Sequence, residues 1–441
     1  MNLVPAHFGE NGLPMRKSSI RLAAALASVA LVVTGCSSSK DATASTDKQV
    51  EVITWWSSDS DKASLEAMTS EFNSVNSNTK FVDLSTVDGF GIGAKAKELI
   101  SSRLDANNPP DSFQTHVGME VTHYVKARQL EDLTSLYAAE GWDKVIPSDL
   151  LDSLMIGGKI YTVPLDIHRA NVLWWNPATA KKAGITSAPS TLTEFFADLA
   201  KFKAIGIPGI AIAGKGDWAV AQLFDWILLA SMGADKYEGL FSGSTSWTGP
   251  EVSTAIAAFQ KALSFANKDA ITLDWQGAGK LVTSGHAGYF IMGDWASAQW
   301  QSDGLKAGTD FAWAAAPGTT KIYQWLSDAF TLPIGAKDRN GALAWLKVAG
   351  SKAGQDAFNV KKGSISPRTD SDLTNYDAYQ KDAAAQWRTD RHVGSTVHGV
   401  NASSAFMSAF NAAVGKYLSG GAKENVTLAK DLALAYKSGK V

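Results

Sequence analysis

The sequence predicts an α/β chain of two lobes around a cleft, and three observations carry that prediction. Short β-branched runs alternate with amphipathic helical stretches from Glu51 onward, the signature of βα units and a largely parallel sheet. A long extended passage, "IGGKIYTVPLDIHRANVLWWN", leads out of the first set of units. Past Asn176 the alternation restarts, and a later extended stretch returns toward the first set.

The elements follow in order. "VEVITWW" reads as a strand, and Leu65, Met68, Phe72 and Val75 mark one face of the helix after it. "KFVDLSTV" is a second strand, and "GFGIGA" is a Gly-rich turn opening the helix "AKELISSRL". "PPDSFQTH" gives a third strand, and "GMEVTHYVKARQL" a helix. Gly157 and Gly158 supply a hairpin turn at the head of the extended passage. Thr191 is placed to cap "LTEFFADLAKFKAIG". "GIAIAG" reads as a buried strand, followed by the apolar helices "DWAVAQLFDWILLASMG" and "PEVSTAIAAFQKALSFAN". "HAGYFIMGDWA", "FAWAAAPG" and "DAFTLPIGA" follow as strands, with "GALAWLKVAG" and "SSAFMSAFNAAVGKYL" as helices. Phe195, Phe196 and Trp226 sit at helical spacing and belong to the core.

Composition narrows the function. The chain has 441 residues and a net charge of −2, so it has room for two domains and no basic footprint for nucleic acid. Its 15 tryptophans exceed ordinary usage and offer flat apolar faces to a ligand. One cysteine, Cys36, rules out an intramolecular disulfide. Arg16, Lys17 and Arg21 precede the apolar run "LAAALASVALVV", a secretory signal over residues 1–35 whose true start can be Met15. "GFGIGA" mimics a dinucleotide motif but is read as a tight bend. No P-loop, HExxH, clustered Cys/His or G-x-S-x-G pattern occurs, so no cofactor, metal or serine hydrolase chemistry is expected.

Four segments taken in order, "DANNPPDSFQTHVGME", "GGKIYTVPLDIHRANVLWWNP", "SGHAGYFIMGDWA" and "LSDAFTLPIGAKDRNGALAWLKVAGSKAGQDAF", resemble the signatures of bacterial extracellular solute-binding proteins of carbohydrate ABC importers. The likeness is strongest to glucose/mannose-binding members and covers the chain beyond residue 50. It implies a periplasmic-binding-protein-like fold, similar to maltose-binding protein, in which hinge strands join two α/β lobes that close on a sugar. By this resemblance the crossings fall near Leu165, Gln324 and Ser366. The N-terminal lobe is then 51–165 plus 325–365, and the C-terminal lobe 166–324 plus 366–441. "VTGC" resembles a lipobox, which implies lipidation of Cys36, a polar tether over 36–50 and anchoring on the outer face of the cytoplasmic membrane.

A pyranose presents apolar C–H faces and a rim of hydroxyls, so its site needs aromatic plates and fixed polar groups. Such groups gather beyond the carboxyl ends of strands. Trp55 and Trp56 stand where the first strand ends, each equally able to pack as core. The family places an acidic residue just after this pair, and Asp59 is preferred over Asp61. Gln114 and His116 share one side of the third strand. His168 and Arg169 lie past the first crossing, facing the cleft or bracing the hinge. "GKGDW" places Trp218 at a helix start, and "GDW" places Asp294 and Trp295 after a strand. Asp328 begins a strand beside a hinge, and Trp275 and His398 complete the set as a plate and a donor. The expectation is a monomeric, non-catalytic receptor that binds a glucose- or mannose-like monosaccharide and delivers it to ABC permease subunits. A disaccharide receptor, a secreted glycoside hydrolase and an adhesin are the alternatives.

Overall fold

The computed structural model describes residues 48–84, 94–420 and 425–439. The signal segment, Met15, Cys36 and most of the tether lie outside the described residues, as does most of the Gly89–Ala94 turn. Strand β1 (Lys48–Ile53) takes up the last three residues expected in the tether. It pairs in parallel with β2 (Thr79–Asp83) and β3 (Ser112–His116).

The chain then forms a hairpin of β4 (Met155–Ile156) and β5 (Lys159–Ile160) around Gly157 and Gly158, whose positive φ suits the turn. β6 (Thr162–Pro164), β7 (His168–Arg169) and β8 (Val172–Trp175) follow in the extended passage. β9 (Tyr289–Met292), β10 (Ala312–Ala315), β11 (Ile322–Leu326), β12 (Asp328–Thr331) and β13 (Arg391–Gly394) complete the strands.

The first sheet has the order β2-β1-β3-β12-β6, and β12 runs antiparallel to both β3 and β6. The expected parallel sheet is therefore mixed, because the returning strand inserts between β3 and the extended passage. A second sheet, β10-β8-β9, is antiparallel throughout, and a third, β13-β11-β7, mixes both senses. The chain passes between sheets at Leu165–Ile167 and at Ser327, and Ile167 forms a bridge with Ile365.

Local chemistry explains the elements that frame the site. Helix Asp59–Val75 starts at a capping box in which the Ser58 hydroxyl and the Asp61 carboxylate each take the other's backbone N–H. It buries Leu65, Met68 and Phe72. Trp345, fully buried, stands with its ring centroid 4.7 Å from Phe81, 5.1 Å from Phe330 and 5.8 Å from Phe72. Truncating it leaves a cavity at the centre of the first lobe, so Trp345→Ala should destabilise the chain by about 3–5 kcal/mol in denaturant unfolding.

In the second lobe, Phe195, Trp226 and Tyr289 pack together, and Phe196 is only partly covered. Helix Trp218–Ser242 runs beyond its expected end through a kink at Gly233, at φ 75°. "GIAIAG" is buried but is not a strand. Only Ile210 forms bridges, to Ala266 and Tyr289, and the Asn267 side chain accepts the Ile212 N–H at 2.7 Å. At Ile212 a side chain replaces the strand partner that the apolar pattern implied, whereas Gly209 and Ala211 keep backbone hydrogen bonds to Tyr289.

Candidate functional site

β1 ends at Ile53, and the two tryptophans follow after Thr54. Trp56 turns inward against Phe330 and Phe358, and its indole N–H donates to Asp328 Oδ2 at 3.3 Å. Trp55 stays half-buried, with its ring 5.0 Å from that of His116 and the Lys97 ammonium 4.5 Å above it. On β3 the two-residue period puts Gln114 and His116 on one side. The register opposite, Asp328↔His116, brings Asp328 to both. Gln114 accepts the Trp55 backbone N–H at 3.0 Å and donates to Asp328 Oδ1 at 2.8 Å. His116 Nε2 lies 3.6 Å from the same oxygen, and its Nδ1 lies 2.5 Å from Glu120 Oε2.

The second lobe supplies the facing rings. Trp295 follows β9, Trp218 opens its helix after the "GKGD" turn, and His398 lies in the loop after β13. His398 stands 5.5 Å from His116, 5.4 Å from Trp295 and 6.2 Å from Trp218, and the two tryptophans are 6.1 Å apart. His168 lies 5.3 Å from Trp295. Through the His116–His398 contact, Trp55 and His116 join Trp218, Trp295 and His398 in a collar of rings that reaches Asp328 at His116.

Two backbone hydrogen bonds lie in the chain beside this collar: Met119 N–H to Val400 O at 3.1 Å and Glu120 N–H to Gly399 O at 2.9 Å. Gly118 and Gly399 permit the approach. A Cβ on Gly118 would lie 2.3 Å from Val400 O, and one on Gly399 2.7 Å from Glu120 Cβ.

The floor is ionic. Asp294 is fully buried and its oxygens are occupied by His168 Nδ1, the Arg169 N–H at 2.9 Å and the Tyr379 hydroxyl at 3.2 Å. His168 Nε2 faces Asp166 Oδ2 at 3.3 Å and Asp328 Oδ2 at 3.9 Å. Burial disfavours its charge, yet the Asp166 and Asp294 carboxylates raise its pKa to about 10. Burial lowers His398 well below the usual range, with His116 adding to the effect, so His398 is neutral. Asp166, His168 and Asp328 offer ligand atoms within 4.8 Å of one another, the one such group among the described residues.

Glu120 couples charge to stability. Burial pushes its carboxyl up, but Lys97 and His116 hold it well below its ordinary 4.5. A depressed carboxyl contributes stability above its unfolded pKa and loses it as pH falls below about 4.5. Glu120→Gln should therefore flatten the acid limb of a melting-temperature profile below pH 4.5.

Two expected residues do not join the group. Asp59 is exposed as the first residue of its helix, and the carboxylate that turns inward is Asp61, paired with the buried Lys362. Trp275 opens helix Trp275–Thr283 and packs half-buried against the apolar core, with no ring contact to the collar among the described residues. Arg169 turns its guanidinium to the Asn171 side chain and the Ile322 carbonyl. Asp166, Glu120, Lys97 and Lys362 were missed. Of these, only Asp166 carried a local signal, lying two residues before His168 in extended chain. Cys36 lies outside the described residues.

Residues 55–356 match a family model described as bacterial extracellular solute-binding protein. A protein of Pyrococcus horikoshii described as an uncharacterized ABC transporter extracellular-binding protein is 31% identical over 392 residues, 87% of this chain and 88% of that protein. A probable sugar-binding periplasmic protein of Rhizobium meliloti is 32% identical over 359 residues, covering 80% and 85% of the two chains. Among solved structures, a chitin oligosaccharide binding protein superposes with a TM-score of 0.78 at 18% identity, covering 89% of this chain and 99% of that one.

Proposed function

The chain belongs to the family of bacterial extracellular solute-binding proteins, receptors rather than enzymes, and from that premise we propose that it captures a glucose-like hexose and delivers it to an ABC importer. The observation that carries this reading is the collar of Trp55, His116, Trp218, Trp295 and His398 reaching the Asp328 carboxylate. Indole faces match the C–H faces of a pyranose, and a carboxylate gives strong hydrogen bonds to neutral hydroxyls.

In this reading the rings close from both sides, which favours one sugar unit over an extended chain. Trp55, Trp218 and Trp295 are the plates, and Gln114, His116, Asp328 and His398 the rim. Trp56, Asp294 and His168 brace the site from behind. The lobes, 51–165 with 325–365 and 166–324 with 366–441, part at the hinge to admit sugar. Ligand then favours the closed form, whose contacts come from both lobes. A lipidated Cys36 and the 36–47 tether hold the receptor outside the membrane, within reach of the permease subunits. The hydrolase alternative is disfavoured, because Asp294 has no free oxygen for acid–base work and a glycosidase needs a carboxyl pair across the scissile bond.

Calorimetric titration with glucose, mannose, galactose and maltose tests the proposal. It predicts one tight site for a hexose and no reducing sugar released from oligosaccharides. Maltose binding with silent hexoses would replace the hexose by a disaccharide, and silence from every sugar would overturn the reading.

A further inference from the structure

Beneath the collar, His168 and Asp166 are each fixed by one atom and leave another facing the buried space beside Asp328, whose two oxygens accept from Gln114 and the Trp56 indole. His168 is held through Nδ1 by Asp294, itself bound by the Arg169 N–H and the Tyr379 hydroxyl. Asp166 is held through Oδ1 by the Asp328 N–H at 2.7 Å. Asp328 is oriented by Gln114 and Trp56. The remaining atoms of the first two, His168 Nε2 and Asp166 Oδ2, are buried and face each other, 3.3 Å apart, with no further hydrogen-bond partner.

We infer that Asp166, His168 and Asp328 form a binding site for a divalent transition-metal ion, zinc first among them, under the floor of the cleft. A histidine whose second nitrogen is anchored by a carboxylate is the arrangement that orients imidazole toward zinc. Tetrahedral zinc with bonds of about 2.0–2.2 Å sets its ligand atoms about 3.3 Å apart. Here His168 Nε2 lies 3.3 Å from Asp166 Oδ2 and 3.9 Å from Asp328 Oδ2, and all three ligand atoms lie within 4.8 Å of one another, so the side chains must draw together to complete three ligands. The fourth position is left for water or a ligand oxygen. Charge points the same way. With neutral imidazole, Asp166, Asp294 and Asp328 are buried carboxylates and the nearby cation Lys362 is already paired with Asp61, so negative charge remains for a divalent ion to balance. The rival occupant is a proton on His168.

This inference goes beyond sugar binding, and its test needs no sugar. The full chain carrying Cys36→Ser, so that the thiol does not compete, is stripped with a chelator and titrated with Zn2+ by calorimetry in two buffers of different ionisation enthalpy. One zinc per chain, release of about one proton per zinc and a raised melting temperature are expected. His168→Gln and the isosteric Asp166→Asn should each weaken zinc at least about a hundredfold, and exposed His286→Gln should leave it unchanged. No stoichiometric zinc uptake would overturn the inference and assign the point to the imidazolium proton. So would uptake undiminished by His168→Gln and Asp166→Asn. Should those variants fail to fold, the stoichiometry and proton release of the parent chain decide alone. Asp328 is common to both readings, so calorimetry with sugars on the zinc-free chain tests the sugar reading separately.

Discussion

Asp328→Asn is expected to lower hexose affinity by at least about a hundredfold and to lower the melting temperature of the sugar-free chain as well. Asp328 is the single group on which the first lobe's site residues converge: Gln114 at 2.8 Å, the Trp56 indole at 3.3 Å and His116 at 3.6 Å. The amide keeps the shape and removes the charge. Hydrogen bonds to charged groups contribute about 1.5–3 kcal/mol each, and a hundredfold loss is about 2.8 kcal/mol. An amide nitrogen would also face the Gln114 NH2 or the Trp56 N–H, placing donor against donor. Calorimetry with glucose reads the affinity, and thermal unfolding reads the fold. An affinity within threefold of the parent would remove Asp328 from the rim.

Gly118→Ala should produce the second-largest loss, through closure rather than contact. Gly118 sits at φ 109°, ψ −142°, a conformation open essentially to glycine alone. Its missing side chain lets Val400 O approach to accept the Met119 N–H. A methyl group would meet the Val400 backbone at 2.3–2.9 Å, and backbone cannot swing aside as a flexible side chain can. The lobes would then part at the clamp. Hexose affinity should fall about tenfold or more, mostly through faster release, and the sugar-induced fall in radius of gyration should shrink. Gly157→Ala is the control: its φ is 60° and nothing lies within 4 Å of an added Cβ, so it tests backbone strain without the close approach. Equal losses from both variants would refute the clamp.

How much of this was legible in the sequence depends on how local each signal was. The tryptophan pair marked the end of β1 because a β-branched run stopped there. The spacing of Gln114 and His116 put both on the face that meets Asp328. The "GDW" turn after β9 showed where Asp294 and Trp295 leave the sheet, but not that Asp294 would be consumed by His168, Arg169 and Tyr379. Lys362 was invisible. It ends a helix with ordinary amphipathic spacing, and its partner Asp61 lies 301 residues away. Asp61 prevailed over Asp59 for a capping reason: the third helical position turns back toward the N-cap and the core, while the first points outward. The mixed first sheet was equally hidden, because a strand's sequence carries no record of its neighbours' direction.

The most direct measurement is a crystal structure of the chain with glucose bound. The account predicts one pyranose between Trp55 on one side and Trp218 and Trp295 on the other, with a hydroxyl hydrogen-bonded to Asp328. A sugar bound away from those rings, or one held by a single lobe with Asp328 untouched, would contradict it.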